Sequence, residues 1–271
     1  MAGFIDLHCH WLPQVDDGAR SLEEGLELLE RLGRGGFSHV VATPHLRPGL
    51  FQGTPESLLT KFEETAQVVA GLRQAEDPSE SPTQAVAPRK LPQVSLGSEH
   101  FFDPTVVNWI LSGRGLPYGT ASSDPAEDNV SPFAKRAILI EFHDLAPAPA
   151  LDELLHRLRR AHFVPVIAHP ERYASVWAKP ELVERIVDQG GTLLLDVAAL
   201  VGKYGKASQK AAFELLDLEA YGAACTDSHR PSDADLALAG MASLEQRYGK
   251  AELEFLFREG PEKLLRGETP I

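Results

Sequence analysis

Apolar positions along this chain follow two alternating rhythms. Short β-like runs at 4–10, 40–43, 94–96, 138–142, 164–168, 192–197 and 223–226 are separated by stretches whose apolar residues recur at helical spacing. Seven strands alternating with helices predict βα repeats with parallel pairing, and the run Val164, Val166, Ile167 suits a strand covered on both faces. A capping box, Ser21 with Glu24, marks the first helix; Leu22, Leu26, Leu29 and Leu32 follow, and Gly35 and Gly36 end it. Further helices are predicted over 55–73, 150–162, 180–189 and 207–220, with a helical region after Ser232. The pattern describes one barrel-like α/β domain over residues 1–271, although length alone also admits two domains.

Two segments interrupt the rhythm. Residues 76–92 carry Pro78, Pro82, Pro88 and Pro92 among polar residues and read as a partly disordered surface loop. Residues 113–135 are rich in Gly, Pro, Ser and Asp and fall just before the 138–142 strand, as either a functional lid or a tolerated insertion.

Composition narrows the class. Hydrophobic residues at 43% and charged residues at 24% are those of a soluble globular enzyme. With 26 basic and 39 acidic residues the formal charge is −13, so the general surface repels nucleic acid. Cys9 and Cys225 make no disulfide framework, which suits a reducing cytoplasm. The N-terminal run holds Asp6, His8 and His10 rather than a leader, and no window approaches 18 apolar residues, so a cytoplasmic protein without membrane insertion is expected.

The chemistry lies where the β-like runs stop. His8 and His10, His45, Glu99, Glu141, His169, and the pair Asp227 and His229 each stand at the end of such a run. Imidazoles and carboxylates are the ligands of divalent cations, so the set describes a polynuclear metal site. A strand's period of two puts His8 and His10 on one face with Cys9 on the other, and the same spacing recurs in Asp227 and His229, unless 226–229 is a helix-capping turn. Asp16 and Asp17, before Gly18, are either an ordinary turn or a further ligand source. Arg172 follows the His169 motif with a planar guanidinium suited to phosphate oxygens, the alternative being an ion pair with Glu171. His100 and His143 adjoin ligand positions and stay ambiguous; His39, His156 and His162 read as surface or packing residues.

Other chemistries fail on spacing. A cysteine-dependent phosphatase needs an Arg six residues beyond its thiolate, but Val15 and Pro231 stand there after Cys9 and Cys225. Gly33, Gly35 and Gly36 end a helix, so no phosphate-cradling Gly-rich loop opens one.

The segments Phe4-Ile5-Asp6-Leu7-His8-Cys9-His10, Val15-Asp16-Asp17-Gly18, Thr43-Pro44-His45, Ile140-Glu141-Phe142, Ile167-Ala168-His169-Pro170-Glu171-Arg172-Tyr173 and Thr226-Asp227-Ser228-His229 together resemble the polymerase and histidinol phosphatase superfamily. Within it they are similar to the bacterial manganese-dependent protein-tyrosine phosphatases of capsule and exopolysaccharide synthesis. The resemblance implies a single-domain, distorted TIM-like (β/α)7 barrel with up to three divalent ions, Mn2+ foremost and Fe, Mg, Zn or Co as alternatives. It selects Asp17 over its neighbour and implies the ligand set His8, His10, Asp17, His45, Glu99, Glu141, His169, Asp227 and His229. It also implies phosphate contacts from Arg172 and from an Arg after the last motif, here Arg230. Two departures stand out: Arg230 and Pro231 follow His229 without the usual intervening residues, and Asp196 replaces a usual Asn.

The implied activity is hydrolysis of phosphotyrosine in a protein substrate, a bacterial tyrosine kinase, by hydroxide generated at the metal site; oligomeric state is not specified. The rival readings are a small-molecule phosphomonoesterase for histidinol phosphate or nucleotides, and a non-catalytic metal-binding regulator that docks a kinase tail.

Overall fold

The computed structural model describes residues 3–74, 89–123, 135–143, 148–178 and 181–271. Seven parallel strand positions form its wall. They are β1 (Phe4–Cys9), β2 (Phe37–Ala42) continued by β3 (His45–Leu46), β4 (Gln93–Leu96) continued by β5 (Glu99–Phe101), β7 (Arg136–Glu141), β8 (Phe163–Ala168), β9 (Thr192–Asp196) and β10 (Tyr221–Cys225). A short β6 (Ala121–Ser122) pairs antiparallel with β4.

Hydrogen bonding runs β1–β2–β4 in one sheet and β3–β5–β7–β8–β9–β10 in the other. Both breaks lie at the site end of the wall. Pro44 has no N–H to continue a ladder, and its carbonyl instead accepts the Glu99 amide at 3.1 Å. The ring is joined on the far side where Asp227 N donates to His8 O and His10 N to Ser228 O, both at 2.9 Å. The seven expected strands are thus the seven positions of a distorted β/α barrel, with β3 and β5 too short to show a period of their own.

Helices cover the outside: α1 (Leu22–Arg34), α2 (Pro55–Gln74), α3 (Pro104–Leu111), α4 (Ala148–Arg160), α5 (Ala174–Ala178), α6 (Glu181–Asp188), α7 (Lys206–Asp217), α8 (Pro231–Tyr248), α9 (Lys250–Glu254) and α10 (Gly260–Leu265). Ser21 Oγ accepts the Glu24 amide at 3.2 Å and starts α1, while Glu24 reaches back to the Arg20 amide at 2.6 Å, one residue before the expected capping-box partner. The sequence pattern does not predict helix α3, because Val106-Val107 and Trp109-Ile110-Leu111 resemble strand residues. Asp103 caps it through the Thr105 amide at 2.7 Å and Pro104 occupies its first turn.

Alternate strand residues face two distinct apolar layers. Ile138, Ile140, Ile167 and Leu193 join the helices in the larger core. Leu139, Val166, Leu194 and Cys225 pack in a smaller cluster contributed mainly by strands, with Leu264 of α10 among them. This plug fills the barrel beneath the C-terminal strand ends, where functional groups of such barrels gather.

Of the expected loops, 75–88 and 124–134 lie outside the described residues. The described portion of the 113–135 segment packs as wall rather than as a cover: Tyr118 N donates to Ala137 O and Thr120 N to Leu96 O, each at 2.9 Å. Among the described residues no helix is long and apolar enough to cross a membrane.

Candidate metal centre

The nine side chains singled out as candidate ligands converge at one mouth. They fall into four overlapping groups, His10-Asp17-His45-His229, His8-His10-Asp227, His8-Glu99-His169 and His45-Glu99-Glu141, whose ligand atoms lie within 4.8 Å of one another. Metal–ligand bonds of about 2.0–2.3 Å place opposite ligands of one ion roughly 4–4.6 Å apart, so each group has the span of a single cation site.

Local backbone explains the convergence. His8 and His10 turn the same way, their Nε2 atoms 3.0 Å apart, while Cys9 packs with Trp11 and Leu12 in the outer core. His45 and Glu99 are register partners of β3 and β5, and His45 Nδ1 lies 2.9 Å from Glu99 Oε2. The second oxygen of Glu99 lies 3.0 Å from His169 Nε2, so this carboxylate stands between two groups. Asp227 and His229 depart from the expected strand alternation: β10 ends at Cys225, and Asp227 adopts φ +43°, a left-handed bend that an aspartate tolerates better than most residues. Asp227 Oδ1 is then 3.4 Å from His8 and 3.5 Å from His10, and the His229 ring stacks on His10 at 4.0 Å.

His169 also adopts a left-handed φ, +33°, and opens the tight turn Pro170–Arg172. The turn swings Arg172 back to the mouth, where its guanidinium donates to Asp227 Oδ2 at 2.8 Å and lies 4.4 Å from the centre of the Tyr204 ring. The ion pair with Glu171 considered from sequence does not form. Glu171 is buried and accepts the Asp196 amide and the Tyr221 hydroxyl, each at 2.9 Å, which anchors the turn to β9 and β10. Burial pushes its carboxyl up to about 8. Asp196, in place of the usual Asn, caps the turn Val197–Val201 through the Ala198 amide.

Arg230 points elsewhere. Its guanidinium donates to the carbonyls of Gly18 and His229 and faces Glu24 at 3.7 Å, and it is not among the residues lining the mouth. His100 is a framework residue: Nδ1 donates to Leu139 O at 2.9 Å and Nε2 accepts the Leu116 amide at 3.1 Å. His39 is buried and its Nε2 lies 2.7 Å from Ser95 Oγ, so it packs.

Sequence reasoning missed two contributors. Asp16 Oδ2 accepts from His10 Nδ1 at 2.8 Å and from the His45 amide at 3.0 Å, fixing the His10 tautomer with Nε2 toward the cluster. Two adjacent aspartates gave no signal for which one holds the other's histidine. Arg47, two residues past His45, lines the mouth and carries no motif.

The electrostatics favour cations. Burial alone opposes charge on Glu99 and Asp227, yet the imidazoles around both, with Arg172 beside Asp227, hold them well below the usual carboxylate range. Burial likewise opposes charge on His10 and His45, but Asp16 and Glu99 respectively raise them. Burial and the charge of Glu99 push Glu141 up to about 8, and its Oε2 is buried with no hydrogen-bond partner among the described residues. Protons on these histidines are what divalent ions would replace, and an orphaned carboxylate oxygen aimed among histidines is the signature of a ligand. The donor set fits the implied metal.

A parallel β/α barrel with a carboxylate–imidazole cluster at its strand ends defines a class of metal-site proteins built on this scaffold. Residues 4–76 and 125–266 match the family described as capsular polysaccharide synthesis, CpsB/CapC, and the chain belongs to that family. Tyrosine-protein phosphatase YwqE of Bacillus subtilis is 26% identical over 269 residues, 98% of this chain and 92% of that protein. A crystal structure from the pair YwqE of Bacillus subtilis and CpsB of Streptococcus pneumoniae, metal-dependent tyrosine phosphatases, superposes with TM-score 0.78 at 25% identity, covering 98% of this chain and 95% of that one. The phosphotriesterase homology protein of Escherichia coli shares the fold at TM-score 0.56 and 12% identity, over 97% of this chain and 99% of that one.

Proposed function

We propose that this protein is a metal-dependent protein-tyrosine phosphatase acting on phosphotyrosine of a bacterial tyrosine kinase in capsule or exopolysaccharide synthesis. The observation that carries the reading is the placement of Arg172 on Asp227, a guanidinium fixed at the rim of a four-group ligand cluster. His8, His10, Asp17, His45, Glu99, Glu141, His169, Asp227 and His229 would hold up to three divalent ions, manganese first. Such ions, when bound, supply Lewis acidity and bring the pKa of water close to neutrality.

The chain's own residues do the rest. Arg172 meets the phosphate oxygens and offsets charge that develops on them during displacement. Its contacts with Asp227 and Tyr204 hold the fork in place before substrate arrives. Neither cysteine is involved: both are buried, Cys9 Sγ faces Ser228 O and Cys225 Sγ faces Leu195 O, and burial pushes both thiols up, away from the thiolate. No phosphoenzyme forms.

The cavity at the mouth, lined by Arg172 with Asp17, His45, Glu99, Glu141 and Asp227, has a volume of about 180 Å³. Enclosed small-molecule sites run to roughly 300–1,000 Å³, so this mouth suits a phosphate at the tip of a protruding side chain better than a swallowed metabolite. Hydrolysis of a phosphotyrosyl peptide by manganese-loaded protein, with and without chelator, against a panel of phosphorylated metabolites tests the reading. Faster turnover of a metabolite than of any phosphopeptide would replace it with the phosphomonoesterase alternative.

A further inference from the structure

Three cationic side chains stand at or beside the mouth already engaged. Arg172 pairs with Asp227, Arg230 donates to two carbonyls, and Lys203 faces Asp233 at 3.6 Å. Arg47 differs. Its guanidinium lies 3.9 Å from the centre of the Phe101 ring and its charge acts on Glu141, but it makes no hydrogen bond or ion pair among the described residues, and it lines the cavity. A half-buried guanidinium with its donors unspent, beside a site that handles anions, is an anion grip.

The same turn carries an apolar rim. Leu50 is 61% exposed, and the Phe51 ring stacks on His45 at 5.0 Å with 7° between the planes; both line the cavity with Arg47. The turn is preorganised. The amides of Leu50 and Phe51 both donate to Arg47 O, at 3.2 and 3.0 Å, and Gly49 sits at φ +87°, where a side chain would be strained. Neither a cation nor a phosphate gains from an exposed leucine at its edge. An apolar group attached to the phosphate does.

We propose that the turn 47–51 recognises an aryl phosphate monoester: Arg47 contacts a phosphate oxygen, taking the place that Arg230 does not fill, and Leu50 with Phe51 covers the aromatic ring. The inference rests on the phosphatase reading for its substrate class and names the residues that select phosphotyrosine within it. Arg47 and Leu50, three residues apart on one rigid turn, read the two halves of the ester separately.

Calorimetric titration of manganese-loaded protein with phenylphosphonate and with methylphosphonate tests this without turnover. Arg47→Ala is expected to weaken both ligands by about tenfold, the loss of one charge-assisted hydrogen bond. Leu50→Ser is expected to weaken phenylphosphonate alone, by roughly fivefold. An unchanged affinity in Arg47→Ala, a loss accompanied by loss of manganese, or a Leu50→Ser effect shared equally by the two phosphonates would overturn the assignment. Phosphonate binding as described by a protein that hydrolyses no ester would remove the phosphatase reading and leave the assignment of the turn standing.

Discussion

His10 Nδ1 and Asp16 Oδ2 lie 2.8 Å apart, and the aspartate's other oxygen accepts the Gly18 amide at the same distance. The imidazole is thereby fixed from behind while its Nε2 faces the cluster. Asp16→Asn keeps the shape and removes the charge that raises His10. Metal affinity is expected to fall by about 10- to 100-fold, the usual cost of losing a carboxylate behind a ligating histidine. Competition with a fluorescent chelator measures it, and an affinity within twofold of the parent would refute the role.

Arg172→Lys keeps the charge and loses the fork. If Arg172 meets phosphate in two places, kcat/KM on a phosphotyrosyl peptide should drop about 10- to 100-fold while metal content holds. Steady-state kinetics beside elemental analysis separates this from damage to Asp227, which would cost metal as well.

His100 gives a stability prediction for the metal-free protein. Burial lowers it to about 4, so it is neutral in the fold, whereas the unfolded chain protonates it near 6.5. The folded state binds fewer protons, and stability from this residue is full above pH 6.5 and is lost as pH falls toward 4. His100→Gln should cost about 1–3 kcal/mol at neutral pH through its two hydrogen bonds, and the gap should narrow on acidification. Urea unfolding at pH 7.5 and 5 reads both; a gap that widens at pH 5 contradicts the assignment.

Cys225→Ala removes a buried sulfur from the inner plug and nothing from the chemistry. Activity within about twofold of the parent is expected, with a stability loss near 1 kcal/mol. Iodoacetamide should leave the native protein active, because both thiols are buried and resist ionisation. Rapid inactivation at a single cysteine would argue for a thiolate mechanism instead.

Much of the site is legible in sequence because a barrel strand ends where its apolar run ends, and His8, His45, Glu141 and His169 stand at those points. What escapes is whatever depends on a bend. Asp227 reaches its place through a left-handed residue beyond β10, not through strand alternation. Asp16 and Asp17 differ only in which way a turn points them, one buried against His10 and one exposed toward His229 at 3.5 Å. Arg47 belongs to no recognisable motif; it reaches the mouth as the residue directly after the two-residue β3, and the turn at Gly49 carries Leu50 and Phe51 there beside it. Helix α3 is hidden by strand-like residues that a capping aspartate and a proline override.

Elemental analysis of the purified, manganese-loaded protein and of its His8→Ala and Asp227→Ala variants bears most directly on the shared metal site. The expected result is about two to three ions per chain in the parent, the number a cluster of four overlapping ligand groups supports, with loss of at least one ion and of phosphotyrosine hydrolysis in each variant. Full hydrolysis by protein stripped of metal, or variants that keep the parent's full ion count and turnover, would contradict it.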